Sequence, residues 1–205
     1  MAGSQRQRIH ERRQKGQRRQ TMLWGGVSIL AIGLIALFVV QSGGRTNQSG
    51  QVGQNSEGVG EKIPVETASH VPDGQPVESP SDPPTSGTHY GVSMPAGFYL
   101  PTSPEYMDST HDGYLIHSLE HGYIIFWYNC DLLDEQACSA LMDQIQTVMD
   151  EFDGIKLIAF PRPSLEVPLV MTSWGYLQSF ESFDRDLAVR FIETNQPLAP
   201  EPGGV

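Results

Sequence analysis

Cysteine is almost absent from this chain of 205 residues: Cys130 and Cys138 are the only two, and their spacing excludes a Cys-x-x-Cys redox pair. Basic residues are nearly as scarce beyond position 40, where 23 acidic residues face six basic ones. So acidic a body reads as a solvated face, and no nucleic-acid partner is expected. The first 21 residues are the opposite: Arg6, Arg8, Arg12, Arg13, Lys15, Arg18 and Arg19 are opposed only by Glu11. The overall charge of -11 conceals this split.

Charge and proline are both missing from residues 22–40, a run from Met22 to Val40 rich in Leu, Ile, Val and Ala. As a helix it would measure roughly 28 Å, about the hydrocarbon thickness of a bilayer. The expectation is a single transmembrane helix at 22–40 behind a basic cytoplasmic segment at 1–21, with everything after Gln41 exported across the plasma membrane. A cleaved secretory signal is the alternative, but the run exceeds the usual signal length and no small-x-small cleavage site follows Val40. Either way the acidic body is exported. In that compartment Cys130 and Cys138 are expected to form a disulfide contributing about 2–3 kcal/mol, two separate buried thiols being the alternative.

Large apolar residues are nearly lacking from 41–61, whose Gly, Ser, Gln and Asn predict a flexible linker. A folded domain is expected over 62–197 and a disordered tail over 198–205. Its first part is rich in proline, but Tyr90, Met94, Phe98, Tyr99 and Tyr106 give it apolar anchors, so it is expected to wrap the core as an ordered arm. Tyr114 to His117 and Tyr123 to Tyr128 read as strands, the second apolar throughout and therefore central. Ala137, Leu141, Ile145, Val148 and Phe152 recur at helical spacing between Asp134 and Gly154. Ile155–Phe160 and Leu169–Trp174 are expected as an antiparallel pair, followed by a helix over Phe183–Thr194. The sum is a small α/β domain with a mixed sheet and two helices, an α+β arrangement being the alternative.

Histidine is the residue in local excess. Four of six lie between positions 89 and 121, and His117-Ser118-Leu119-Glu120-His121-Gly122 puts two imidazoles and a carboxylate within five residues. A three-residue hairpin loop or a helical turn would each bring His117 and His121 together, whereas one extended strand would hold them roughly 13 Å apart. His-x-x-Glu-His is also the motif of one class of zinc peptidases, which require it on a helix. Here the strand-like flanks and the immediate Gly122 argue against that conformation. The metal ligands expected are His89, His117 and His121, with Glu120, Met171 and His70 as additional ligands or orienting groups. A thioether from Met171 or Met94 would suit copper, and Glu120 would suit zinc. The competing reading makes the histidines structural, bonded to backbone carbonyls or to Glu120.

Pro83-Pro84-Thr85-Ser86-Gly87-Thr88-His89-Tyr90, the His117–Gly122 segment and the strand through Tyr128 together resemble the bacterial DUF3105 family. The family's pattern has a proline where this chain has Thr88. The resemblance covers roughly residues 63–195 and implies a membrane anchor with an extracytoplasmic domain, but no reaction. A weaker likeness in strand and helix order is to the thioredoxin fold, with Pro168 where a cis-proline would sit. The expected function is a membrane-anchored binder of copper or zinc. A cell-envelope assembly or interaction module contacting another envelope protein is the alternative, and a metal-dependent hydrolase the third.

Overall fold

The computed structural model describes residues 57–65, 67–107 and 111–204. The basic segment 1–21, the apolar run 22–40 and most of the linker lie outside the described residues. Among those described, no helix is long and apolar enough to cross a membrane.

Six strands form one mixed sheet: β1 (Glu61–Lys62), β2 (Gly97–Phe98), β3 (Ile124–Tyr128), β4 (Leu157–Pro161), β5 (Leu169–Ser173) and β6 (Tyr176–Phe180), in the order β1-β6-β5-β3-β4-β2. The helices among the described residues are α1 (Pro104–Met107), α2 (His111–Glu120), α3 (Glu135–Glu151) and α4 (Arg185–Asn195). The domain is α/β, with more helices than the two expected.

Side chains on a strand alternate between faces, and every residue of β3 is buried, so its apolar run serves two cores. Ile124, Phe126 and Tyr128 join Leu141, Ile145 and Val148 of α3 and Phe191 and Ile192 of α4 on one face. Ile125 and Trp127 join Leu115, Ile116 and Leu119 of α2 on the other. The helix expected from Asp134 onward is α3, its N-terminus capped by the Asp134 carboxylate, which accepts from the Ala137 N–H at 2.8 Å. Cys130 and Cys138, joined in a disulfide with Cα atoms 5.3 Å apart, staple the end of β3 to the first turns of α3.

Five expectations are corrected. Tyr114 to His117 is helical, not a strand, because α2 is buried on almost every side and so shows no amphipathic period. Gly122 ends this helix rather than excluding it: at φ +83° it accepts the left-handed conformation, with Gly122 N–H donating to Leu119 and Tyr123 N–H to Ser118, a Schellman cap. The segments at 155–160 and 169–174 are not neighbours, for β3 lies between them, parallel to β4 and antiparallel to β5. The loop joining them arches over the end of β3, held by the Asn129 amide donating to the carbonyls of Pro163 and Leu165. Pro168 carries no cis bond, and its carbonyl accepts from Asn129 N–H at 3.0 Å, extending the ladder into β5; among the described residues the cis peptide is Asp82–Pro83.

The fifth correction concerns the ends of the domain. Residues 57–61 belong to it, since Val59 exchanges two hydrogen bonds with the Asn195 side chain and β1 pairs with β6. Residues 198–204, expected as a disordered tail, instead fold back as a strap. Lys156 Nζ holds it by donating to the carbonyls of Pro202 at 2.7 Å and Gly204 at 2.8 Å.

Candidate metal centre

The arm and α2 build one cluster. His70 and His89 form a parallel bridge in which Val71 N–H donates to the His89 carbonyl at 2.8 Å and His89 N–H to the Ser69 carbonyl at 3.1 Å. Two otherwise irregular stretches thereby hold their imidazoles side by side, ring centroids 4.7 Å apart. The arm is fixed to α2 at Gly113, whose carbonyl accepts from Tyr90 N–H, and a methyl group there would fall 2.3 Å from the Tyr90 ring. Glycine inside a helix costs about 1 kcal/mol relative to alanine. Here it permits the contact that delivers the Tyr90 carbonyl to His117. Arg162 braces the same junction, donating to Asp82 in the arm and Asp112 in α2.

On α2, His117 and Glu120 are three residues apart and share a face. His117 stacks on His70 with centroids 5.2 Å apart and lies edge-on to His89 at 5.1 Å. His70, His89, His117 and Glu120 each bring one ligand atom into a set whose members all lie within 4.8 Å of one another. His89 is fully buried, His117 and Glu120 nearly so, and His70 is exposed.

Hydrogen bonding fixes which ring nitrogens are available. His117 Nδ1 donates to the Tyr90 carbonyl at 2.6 Å, and His89 Nδ1 to the Gly87 carbonyl at 2.9 Å. In each neutral ring this leaves an Nε2 lone pair turned toward the cluster. His89 Nε2 is 3.0 Å from Glu120 Oε2, yet the pair lacks hydrogen-bond alignment and His89 Nε2 has no hydrogen-bond partner. A buried lone pair facing a carboxylate is unfavourable unless a proton or a cation lies between them. Burial keeps His117 below its ordinary pKa, and the neighbouring His121, His89 and His70 add to that, against the opposing pull of the Tyr90 carbonyl. Neutral imidazole is the form that ligates metals.

His121 lies just past the end of α2 and joins the cluster through His117, Nε2 to Nε2 at 2.7 Å. It is not one of the four mutually close donors. Met171 is fully buried on the opposite face among the apolar residues of α3 and α4, and Met94 is buried in the core beneath α2, where its backbone exchanges bonds with the Ser118 hydroxyl. Met171 is thereby separated from the clustered donors by the sheet. The backbone carbonyls of Gly87 and Tyr90, Glu201 of the strap and Lys156 all escape a sequence reading. For the carbonyls no side-chain signal exists to find.

The sequence profile described as protein of unknown function, DUF3105, matches residues 70–205. The chain belongs to the DUF3105 family. The matched stretch begins at His70 and takes in the whole cluster and the strap. No curated protein and no solved structure matches the chain.

Proposed function

We propose that this DUF3105 protein binds a transition-metal ion, zinc or copper, through His70, His89, His117 and Glu120. The observation that carries the reading is the fully buried His89 Nε2, unpartnered and 3.0 Å from the Glu120 carboxylate, with its Nδ1–H committed elsewhere. A cation between them converts an electrostatic conflict into two ligand bonds. The backbone carbonyls behind His89 and His117 act as the outer shell that orients metal-bound imidazoles. At metal–nitrogen distances near 2.0–2.1 Å, tetrahedral ligands lie about 3.3 Å apart, so ion binding would draw the widest separations inward. Elemental analysis of the metal-loaded, dialysed full-length protein should find about one equivalent of metal, absent from a His89→Ala/His117→Ala variant. No retained metal in the parent protein would sink the idea and leave the histidines as structural elements of an envelope interaction module.

The helical conformation of residues 117–120 favours a second reading, a metal-dependent hydrolase in which Glu120 activates water. Glu120→Gln separates the two. As a ligand, Glu120 is needed for tight metal binding; as a base, its loss leaves metal bound and abolishes hydrolysis.

The same proposal places the domain outside the cytoplasm, tethered to the plasma membrane by residues 22–40. The Cys130–Cys138 disulfide supports an oxidising compartment. The strand arrangement β6-β5-β3-β4 with α3 linking β3 to β4 supports a thioredoxin-like architecture without its redox pair.

A further inference from the structure

The strap lies against the inner end of the donor set. Glu201 N–H donates to the Glu120 carbonyl at 3.0 Å, and Lys156 Nζ joins the strap carbonyls to that of His121, the last at 2.8 Å. Gly204 is so close to the His121 ring that a methyl group on it would fall 1.6 Å from Nδ1. His121 is 8% exposed and its Nδ1 has no hydrogen-bond partner. The Glu201 carboxylate, itself largely exposed, lies 3.8 Å from that nitrogen.

The proton positions follow by elimination. His117 donates from Nδ1 to Tyr90, so its Nε2 is an acceptor, and His121 Nε2, 2.7 Å away, must carry the proton between them. In the neutral ring His121 Nδ1 is then a second lone pair, facing a carboxylate that also has only lone pairs to offer. A cation that takes the His117 Nε2 lone pair deprives the His121 Nε2–H of its acceptor. The neutral ring resolves both conflicts by changing tautomer: one proton leaves Nε2 for solvent, one arrives at Nδ1, and the net charge is unchanged. Nδ1–H then donates to Glu201, and Nε2 offers its lone pair to the ion.

We propose that Glu201 is a positioning residue whose carboxylate orients His121 as an additional donor to the metal, so that the strap completes the centre. This rests on the metal reading above. The resulting set, four imidazoles and one carboxylate with no thioether, suits divalent zinc or copper(II) rather than copper(I). Carboxylate–histidine–metal pairs of this kind typically change metal affinity 10–100-fold when the carboxylate is lost.

Zinc(II) titrated into the full-length, nitrogen-15-labelled protein tests it. Two-bond proton–nitrogen spectra should show His121 changing from the Nε2–H to the Nδ1–H tautomer as one equivalent binds. Glu201→Ala should weaken zinc binding about 10–100-fold, with partial recovery in Glu201→Gln, whose amide oxygen still accepts. Zinc bound with the His121 tautomer unchanged, or bound equally well by Glu201→Ala, overturns this proposal alone. A parent protein that takes up no zinc overturns the metal reading with it.

Discussion

The two faces of the central sheet are made from alternate residues of the same strands, yet they do different work. The face under α3 and α4 is mainly apolar, from Ile124 and Phe126 to Phe191 and Ile192, and the Asn195 side chain of α4 is satisfied by Val59. The face under α2 carries a similar apolar layer in Ile125, Trp127, Phe160 and Leu119, but beside it the arm adds His89, and α2 and its C-terminal end add His117, Glu120 and His121, all at low exposure. One face packs α3 and α4 against the sheet. The other uses the same strands as a rigid floor for buried polar groups, which are tolerated only where each finds a partner.

Substitutions on the first face should therefore move stability and leave metal binding alone. Phe126→Ala removes a fully buried ring against α3 and should cost about 3–5 kcal/mol in urea unfolding. Met171→Leu conserves volume on the same face and should cost less than about 1.5 kcal/mol. Its metal stoichiometry should equal that of the parent. A Met171→Leu protein that folds but no longer holds metal would show that the two faces are not separable in function.

The disulfide gives the next largest effect and belongs to the same side, since Cys130 packs at the edge of the α3 core. Cys130→Ser/Cys138→Ser should lower stability by about 2–3 kcal/mol, as expected for closing a short loop. Zinc uptake measured under native conditions should be unchanged. Reduced uptake in the folded variant would mean that the staple at the end of β3 also sets the position of the cluster.

The sequence exposed the two faces unequally. α3 was legible because it buries one side only: Leu141, Ile145 and Val148 recur at helical spacing, Asp134 caps the start, and a single strip of side chains carries the pattern. α2 was illegible because it is buried nearly all round, carries a glycine inside its first turn and a β-branched residue in its middle, and so looks like a strand. His117, Glu120 and His121 were visible because they are close in sequence, and His89 because the apolar anchors of its arm imply packing against the core. His70 stood out less, for its place depends on a bridge between two irregular stretches that no propensity signals. The strap was hidden because Pro, Gly and Glu near a terminus ordinarily mean disorder, and tertiary contacts order it: two of its carbonyls on Lys156, Glu201 N–H on the Glu120 carbonyl, and Ala199 buried beside the α2 core.

The smallest effect is one that only the polar face should produce. Desolvation lowers the folded pKa of His117, with His121, His89 and His70 acting in the same direction and the Tyr90 carbonyl against them. The unfolded chain takes up a proton at this residue near pH 6.5, whereas the folded chain does so only at lower pH. Between those values the unfolded state binds more protons, so stability rises with pH. The contribution is present above about pH 6.5 and is lost as the pH falls through the folded pKa. Urea midpoints measured with a chelator present should drop between pH 7.5 and pH 5, and His117→Gln should shrink that drop while Met171→Leu leaves it intact. An equal drop in parent and His117→Gln would move the pH sensitivity off this histidine and make the polar face as inert toward protons as the apolar one.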